Sequence, residues 1–147
     1  MQEEKNKIYI STLVIFWLIF AFFILNVSSM WFMPLFGPFI QFISIPLMVI
    51  LPILGIALIV LAARAKFTKI SKAFFILTGA PALGITVSGV LHNLVFALLI
   101  KLFGEGIWSG MGDEPVFFIL ATIVCPLALL VGSIGSIVLI AKKKVIA

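Results

Sequence analysis

The sequence predicts an all-α integral membrane protein, a four-helix bundle made of two transmembrane hairpins with the N- and C-termini cytoplasmic. Three observations predict it. First, the 147-residue chain is 64% hydrophobic and 10% charged, with mean hydropathy +1.38, against ~45–50% apolar and ~25% charged for a soluble domain. Second, its charges leave three uncharged stretches, Ile8 to Ala63, Ala73 to Ile100 and Pro115 to Ala141. Each is long enough to span, because ~20 helical residues cross a ~30 Å hydrocarbon core. Third, the basic residues gather at alternate ends of these stretches, as expected when Lys and Arg are retained in the cytoplasm. Together these exclude a water-soluble monomer. The length suits one domain, residues 1–147.

The first stretch is too long for one crossing, since as a single helix it would run ~84 Å. A turn is predicted at Met33-Pro34-Leu35-Phe36-Gly37-Pro38, where two prolines flank a glycine and helices tend to stop. This gives a first span near residues 8–30 and a second near 40–63. The third is predicted over 73–100 and the fourth over 115–141, both long enough to tilt or kink. The glycine-rich connection from Gly104 to Gly112 ends at Asp113-Glu114-Pro115. There Asp113 or Glu114 is expected to cap the fourth helix, with the proline in its first turn.

Four spans place both termini and the central loop on one side. That side holds Lys5, Lys7, Arg64, Lys66, Lys69, Lys72, Lys142, Lys143 and Lys144, whereas Lys101 lies opposite with Glu105, Asp113 and Glu114. The net charge of +5 is thereby read as topology and as attraction to anionic lipid heads. No loop is large enough for a nucleic-acid-binding domain. The first apolar stretch exceeds a ~7–15-residue signal core and lacks a cleavage site, so it is expected to stay as a helix. Cys125 is the single cysteine and forms no intrachain disulfide.

Helices in lipid pack through small residues that let backbones approach. The third span carries Ala80, Gly84 and Ser88 at i, i+4, i+8 with Gly89 beside them, and the fourth carries Cys125, Ala128, Gly132 and Ser136 on one face. These stripes are expected to meet each other or another helix. The second span, with Pro46, Pro52 and Gly55, is expected to bend rather than pack tightly.

Polar side chains inside spans are costly unless they face the protein interior or water. Asn26, Gln41, His92, Asn93 and Thr122 fall in the outer halves of their spans, beneath Asp113 and Glu114. The asymmetry predicts an outward-facing polar pocket or network. A symmetric hairpin ending near Leu102 and restarting at Pro115 puts His92 level with Cys125, each ~15 Å deep. The plainest role for His92 is helix glue; a ligand or proton-relay role is the sharper one. A Cys125–His92 nucleophilic pair lacks an orienting third group.

No metal site is expected, because paired-His spacing is absent, and no cofactor is expected, because phosphate-binding loops and hydrolase elbows are absent. The chain is similar in size alone to small multidrug transporters and membrane-bound glutathione-metabolising enzymes. Residues 8–63 hold no carboxylate, which departs from the former, and no family is assigned. The expected role is a membrane subunit or interaction protein. The alternatives are a carrier or channel component using the pocket around His92 and Asn93, and an intramembrane enzyme using His92 with Asp113 or Glu114. The expected partners are membrane lipids and a homo-oligomer or larger membrane complex, with no nucleic acid. The expected location is a cell membrane, from brevity and charge bias a prokaryotic cytoplasmic one.

Overall fold

The computed structural model describes the backbone of residues 2–104 and 115–146, and their side chains except at Gln2, Lys5, residues 29–45 and Leu47. The described chain is helical apart from its short connections and one isolated bridge. In order come α1 (Gln2–Arg64), α2 (Lys69–Phe103), α3 (Pro115–Ile119), a π-helical turn (Leu120–Val124) and α4 (Cys125–Ala141). Among the described residues three helical segments are long and apolar enough to cross a membrane: Asn6–Ser28, Lys69–Phe103 and Pro115–Ala141. Met48–Arg64 is a shorter apolar helix.

The predicted interruption at Met33–Pro38 does not appear as a break in helical backbone, because α1 runs through it. Proline removes one backbone donor and bends a helix without abolishing the bonds on either side. Yet α1 is not a straight rod. Its length would then be about 95 Å, whereas the ring of Tyr9, near its start, lies 5.8 Å from that of Phe67, just beyond its end. Phe16 likewise meets Phe75 of α2 at 5.6 Å, edge to face. The axis of α1 therefore reverses between Phe23 and Leu51, which share one apolar core with Phe16, Ile19, Leu58, Phe75 and Leu129.

The register between helices is set by glycines. A Cβ placed on Gly55 would lie 2.6 Å from the carbonyl oxygen of Gly79, and one on Gly79 would lie 2.8 Å from that of Gly55. The second arm of α1 thus packs tightly against α2 where sequence alone predicted a bend. Thr86 Oγ1 donates to the Met48 carbonyl at 3.1 Å. Both pairs are equidistant from Phe67, as in an antiparallel hairpin turning there.

Between α2 and α4, Gly132 abuts the backbone of Leu77 and Thr78, Gly135 abuts the Phe74 ring, and Gly84 abuts Cys125 Sγ. All three pairs centre between residues 104 and 105. The predicted level pairing of His92 with Cys125 is corrected by this register: Cys125 faces Gly84, and His92 lies two turns farther out, about 12 Å. The symmetric hairpin failed because close backbone approach at glycine, rather than equal helix ends, fixes where two helices cross. As a result α2 overhangs the start of α3, and Leu98, Leu102 and Phe103 are more than half exposed.

At the end where α1 meets α2, the chain closes on itself. Thr68 caps α2, its Oγ1 accepting from the Ser71 amide at 3.2 Å, and Lys72 Nζ donates to the Ala63 carbonyl at 2.9 Å. That bond places a cation at the negative end of α1. The C-terminal tail returns here: Thr68 N–H donates to Val145 O at 3.0 Å, Ser71 Oγ donates to Lys144 O at 3.3 Å, and Phe67 bridges Ile146. Phe67 and Val145 are buried between the two segments.

Candidate functional site

Two of the polar residues predicted to converge in the outer half, Asn93 and Thr122, make their hydrogen bonds within their own helical segments. Asn93 is exposed, and its Nδ2 donates to the carbonyl of Gly89 in its own helix at 2.8 Å. Thr122 is also exposed, and its Oγ1 donates to Phe118 O, again in its own helical segment, at 2.7 Å. Asn26 and His92 are half-buried. The side chain of Gln41, and Asp113 and Glu114 altogether, lie outside the described residues. The physical reason for the difference is local: a short polar side chain on a helix can satisfy itself on the preceding turn. It need not reach across the bundle.

His92 sits over two rings, 5.6 Å from Phe118 and 6.4 Å from Phe96 between centroids. Phe118 lies two residues before the π-helical turn Leu120–Val124. That turn has a cause in Pro126, which cannot donate to the carbonyl of Thr122 and whose ring crowds it. The chain responds by widening one turn earlier, so that Cys125 N–H donates to Leu120 O. Such π-turns recur where a helix is shaped for function. Here it follows closely on Phe118, the ring that His92 meets, and contains Thr122, which bonds back to the Phe118 carbonyl.

The small-residue positions divide. Gly84, Cys125 and Gly132 lie in the α2–α4 contact, and Ser88 and Ser136 are buried. Ala128 is half-buried, whereas Ala80 is exposed and a Cβ on Gly89 would meet nothing within 4 Å. The third-span stripe therefore splits between an inward and an outward face.

Sequence reasoning missed two groups. Gly79 forms the tightest crossing with Gly55; the small-residue cluster Thr78-Gly79-Ala80 was its signal. The other is a set of hydroxyls. Thr12, Ser71, Thr78, Ser88, Ser133 and Ser136 are all buried, and all but Ser88 lie in the half of the bundle nearest Phe67. Thr12 and Thr78 donate to the carbonyls of Ile8 and Phe74, while Ser133 Oγ and Ser136 Oγ have no partner among the described residues. Reading serine and threonine only as small residues hid this inner polar layer.

Among the described residues no three of His, Cys, Asp and Glu come together. An open apolar groove of about 470 Å³ runs along α1 past Ile10, Leu13, Val14, Trp17 and Leu18, a surface suited to lipid chains. Comparison with protein-family profiles, curated proteins and solved structures finds no match.

Proposed function

We propose that this chain is a multi-pass membrane protein crossing the bilayer four times, with both termini cytoplasmic, and that it works as an interaction subunit whose outer surface holds a partner. Four crossings are supported by the reversal of α1. The residue midway between Tyr9 and Phe67 is Pro38, so arms of equal rise would meet in the Pro34–Pro38 segment. A common side for the termini is supported by the contacts of Tyr9 and of the Val145 tail with the same loop.

The observation that carries the functional reading is the placement of Asn93 and Thr122. Both are polar, both are exposed, and both bond within their own helices. Polar groups on the outside of a helical bundle are suited to meeting another helix. A translocated ligand instead needs them on an interior path.

The carrier alternative draws on the π-turn beside His92, and one experiment separates the two. Purified chain is reconstituted in vesicles loaded with pH- and cation-sensitive dyes, and in parallel extracted from native membranes in lipid nanodiscs. The expected result is no flux above empty vesicles and an extracted assembly larger than the 16.1 kDa chain. Flux that disappears with His92→Ala, from a monomeric chain, would overturn the reading in favour of a carrier.

A further inference from the structure

On the reading that this chain lies in the membrane with its termini cytoplasmic, we propose that its inner end binds the headgroup of an anionic phospholipid, which holds the C-terminal tail closed against the α1–α2 turn. The site is assembled by the backbone. Val145 O accepts from the Thr68 amide at 3.0 Å, Lys144 O accepts from Ser71 Oγ at 3.3 Å, and Ile146 bridges Phe67 in antiparallel sense. These contacts lay residues 144–146 along 67–71. They gather Lys142, Lys143 and Lys144 toward Arg64, Lys66 and Lys69.

All six cations are exposed, and among the described residues none of them is paired with a carboxylate. At this end Glu3 pairs with Lys7 at 2.8 Å, and Glu4, also exposed, pairs with none of the six. Lys72 differs, because its ammonium is engaged by the Ala63 carbonyl. Closing the tail therefore draws like charges together, and it does so through Lys143 at φ 53°, a conformation unfavourable to any residue with a Cβ. A backbone held shut against this charge calls for a counter-anion.

Two features make that anion a lipid rather than a free phosphate. The first is depth. Lys69 opens α2 and Ala141 closes α4, the inner limits of two segments long and apolar enough to cross a membrane. The six cations thus lie where the cytoplasmic leaflet presents its negative headgroups. The second is the apolar company. Val145 is buried, and because side chains alternate along extended chain, Lys144 and Ile146 share the outer face of the tail. Ile146 is 61% exposed, and Ile70, next to Lys69, is 62% exposed. A cation beside a bare isoleucine, on the tail and again on α2, suits a phosphate that carries acyl chains: the headgroup meets the ammonium and the chain covers the side chain.

The test uses the full chain in lipid nanodiscs, in phosphatidylcholine alone and in phosphatidylcholine mixed with phosphatidylglycerol. Hydrogen exchange is read at the Thr68 amide, which the tail protects. The Ala65 amide, bonded to Leu61 O and independent of the tail, corrects for the lower pH at an anionic surface. Relative to Ala65, exchange at Thr68 is expected to slow about fivefold in the anionic discs, the scale of one basic residue's attraction to such a surface. The double substitution Lys142→Gln and Lys144→Gln separates a lipid site from a merely structural tail. In phosphatidylcholine the double variant is expected to protect Thr68 at least as well as the natural chain, since repulsion is relieved, and its response to phosphatidylglycerol is expected to vanish. No slowing, slowing that survives the double variant, or weaker protection of that variant in phosphatidylcholine overturns the proposal. So does equal slowing by inorganic phosphate added to phosphatidylcholine discs, which would make this a site for a free anion. Release of the chain from native membranes by alkaline extraction would instead sink the membrane reading on which the site rests.

Discussion

Glycine positions in this chain differ by what their missing Cβ would strike, and that difference fixes the sign and size of substitutions. At Gly79 the obstruction is the Gly55 carbonyl oxygen at 2.8 Å, with Ile59 Cγ1 at 3.0 Å. Backbone cannot swing aside, so Gly79→Ala must push two helices apart. A loss of about 1–3 kcal/mol is expected, the usual cost of overpacking, measured by unfolding in mixed micelles. At Gly84 the obstruction is Cys125 Sγ at 2.8 Å, the end of a side chain that can turn away. Gly84→Ala should therefore cost less than Gly79→Ala, and most of its cost should vanish in a Cys125→Ala background, because residues in contact are not additive. Additive losses at Gly84 and Cys125 would mean that the α2–α4 register is not the one described. Gly84 and Gly132 were legible in sequence as a stripe. Gly55 was not, because a glycine three residues after a proline reads equally well as a bend and as a crossing point.

Helix ends carry their own chemistry. α4 terminates in a Schellman arrangement: Lys143 N–H donates to Ile140 O and Lys144 N–H to Leu139 O, each at 3.0 Å, with Lys143 at φ 53°. That position ordinarily takes glycine, because a Cβ there meets the following carbonyl and costs roughly 1–2 kcal/mol. The tail it launches is what reaches the Thr68 amide. Lys143→Gly is thus expected to stabilise the closed tail by about 1 kcal/mol, read as several-fold slower hydrogen exchange at the Lys144 and Thr68 amides. Faster exchange would show that contacts of the Lys143 side chain outweigh its backbone strain. The boundary that charge located best is the end of α4 at Ala141, before the lysines, whereas α2 extends past the predicted 73–100 at both ends, from Lys69 to Phe103. The π-turn was not legible, since Pro126 announces a lost bond without saying which turn will absorb it.

At the scale of the molecule, composition and charge gaps made readable an all-helical chain with helices long and apolar enough to span a membrane. They could not set the depth of one helix against another, which depends on a few glycine contacts remote in sequence. The outward pocket was inferred from the half of each span in which a polar residue falls, which does not say which face of the helix it takes; Asn93 and Thr122 take exposed faces. The same reasoning bears on α1, whose unbroken helical backbone invites a single crossing. A single crossing would place Gln2 and Lys66 on opposite sides of the membrane, whereas a reversed α1 places both with the C-terminal tail. The packing of Tyr9 on Phe67 and the bond from Thr68 to Val145 bring all three to one end. In a Cys125→Ala background, single cysteines replacing Gln2, Lys66 and Lys142 are accordingly expected to react with an impermeant maleimide only in inside-out vesicles. One replacing Lys101 is expected to react only in right-side-out ones. If Gln2 alone labels from the outside, α1 crosses once, and the contact of Tyr9 with Phe67 does not form in the bilayer.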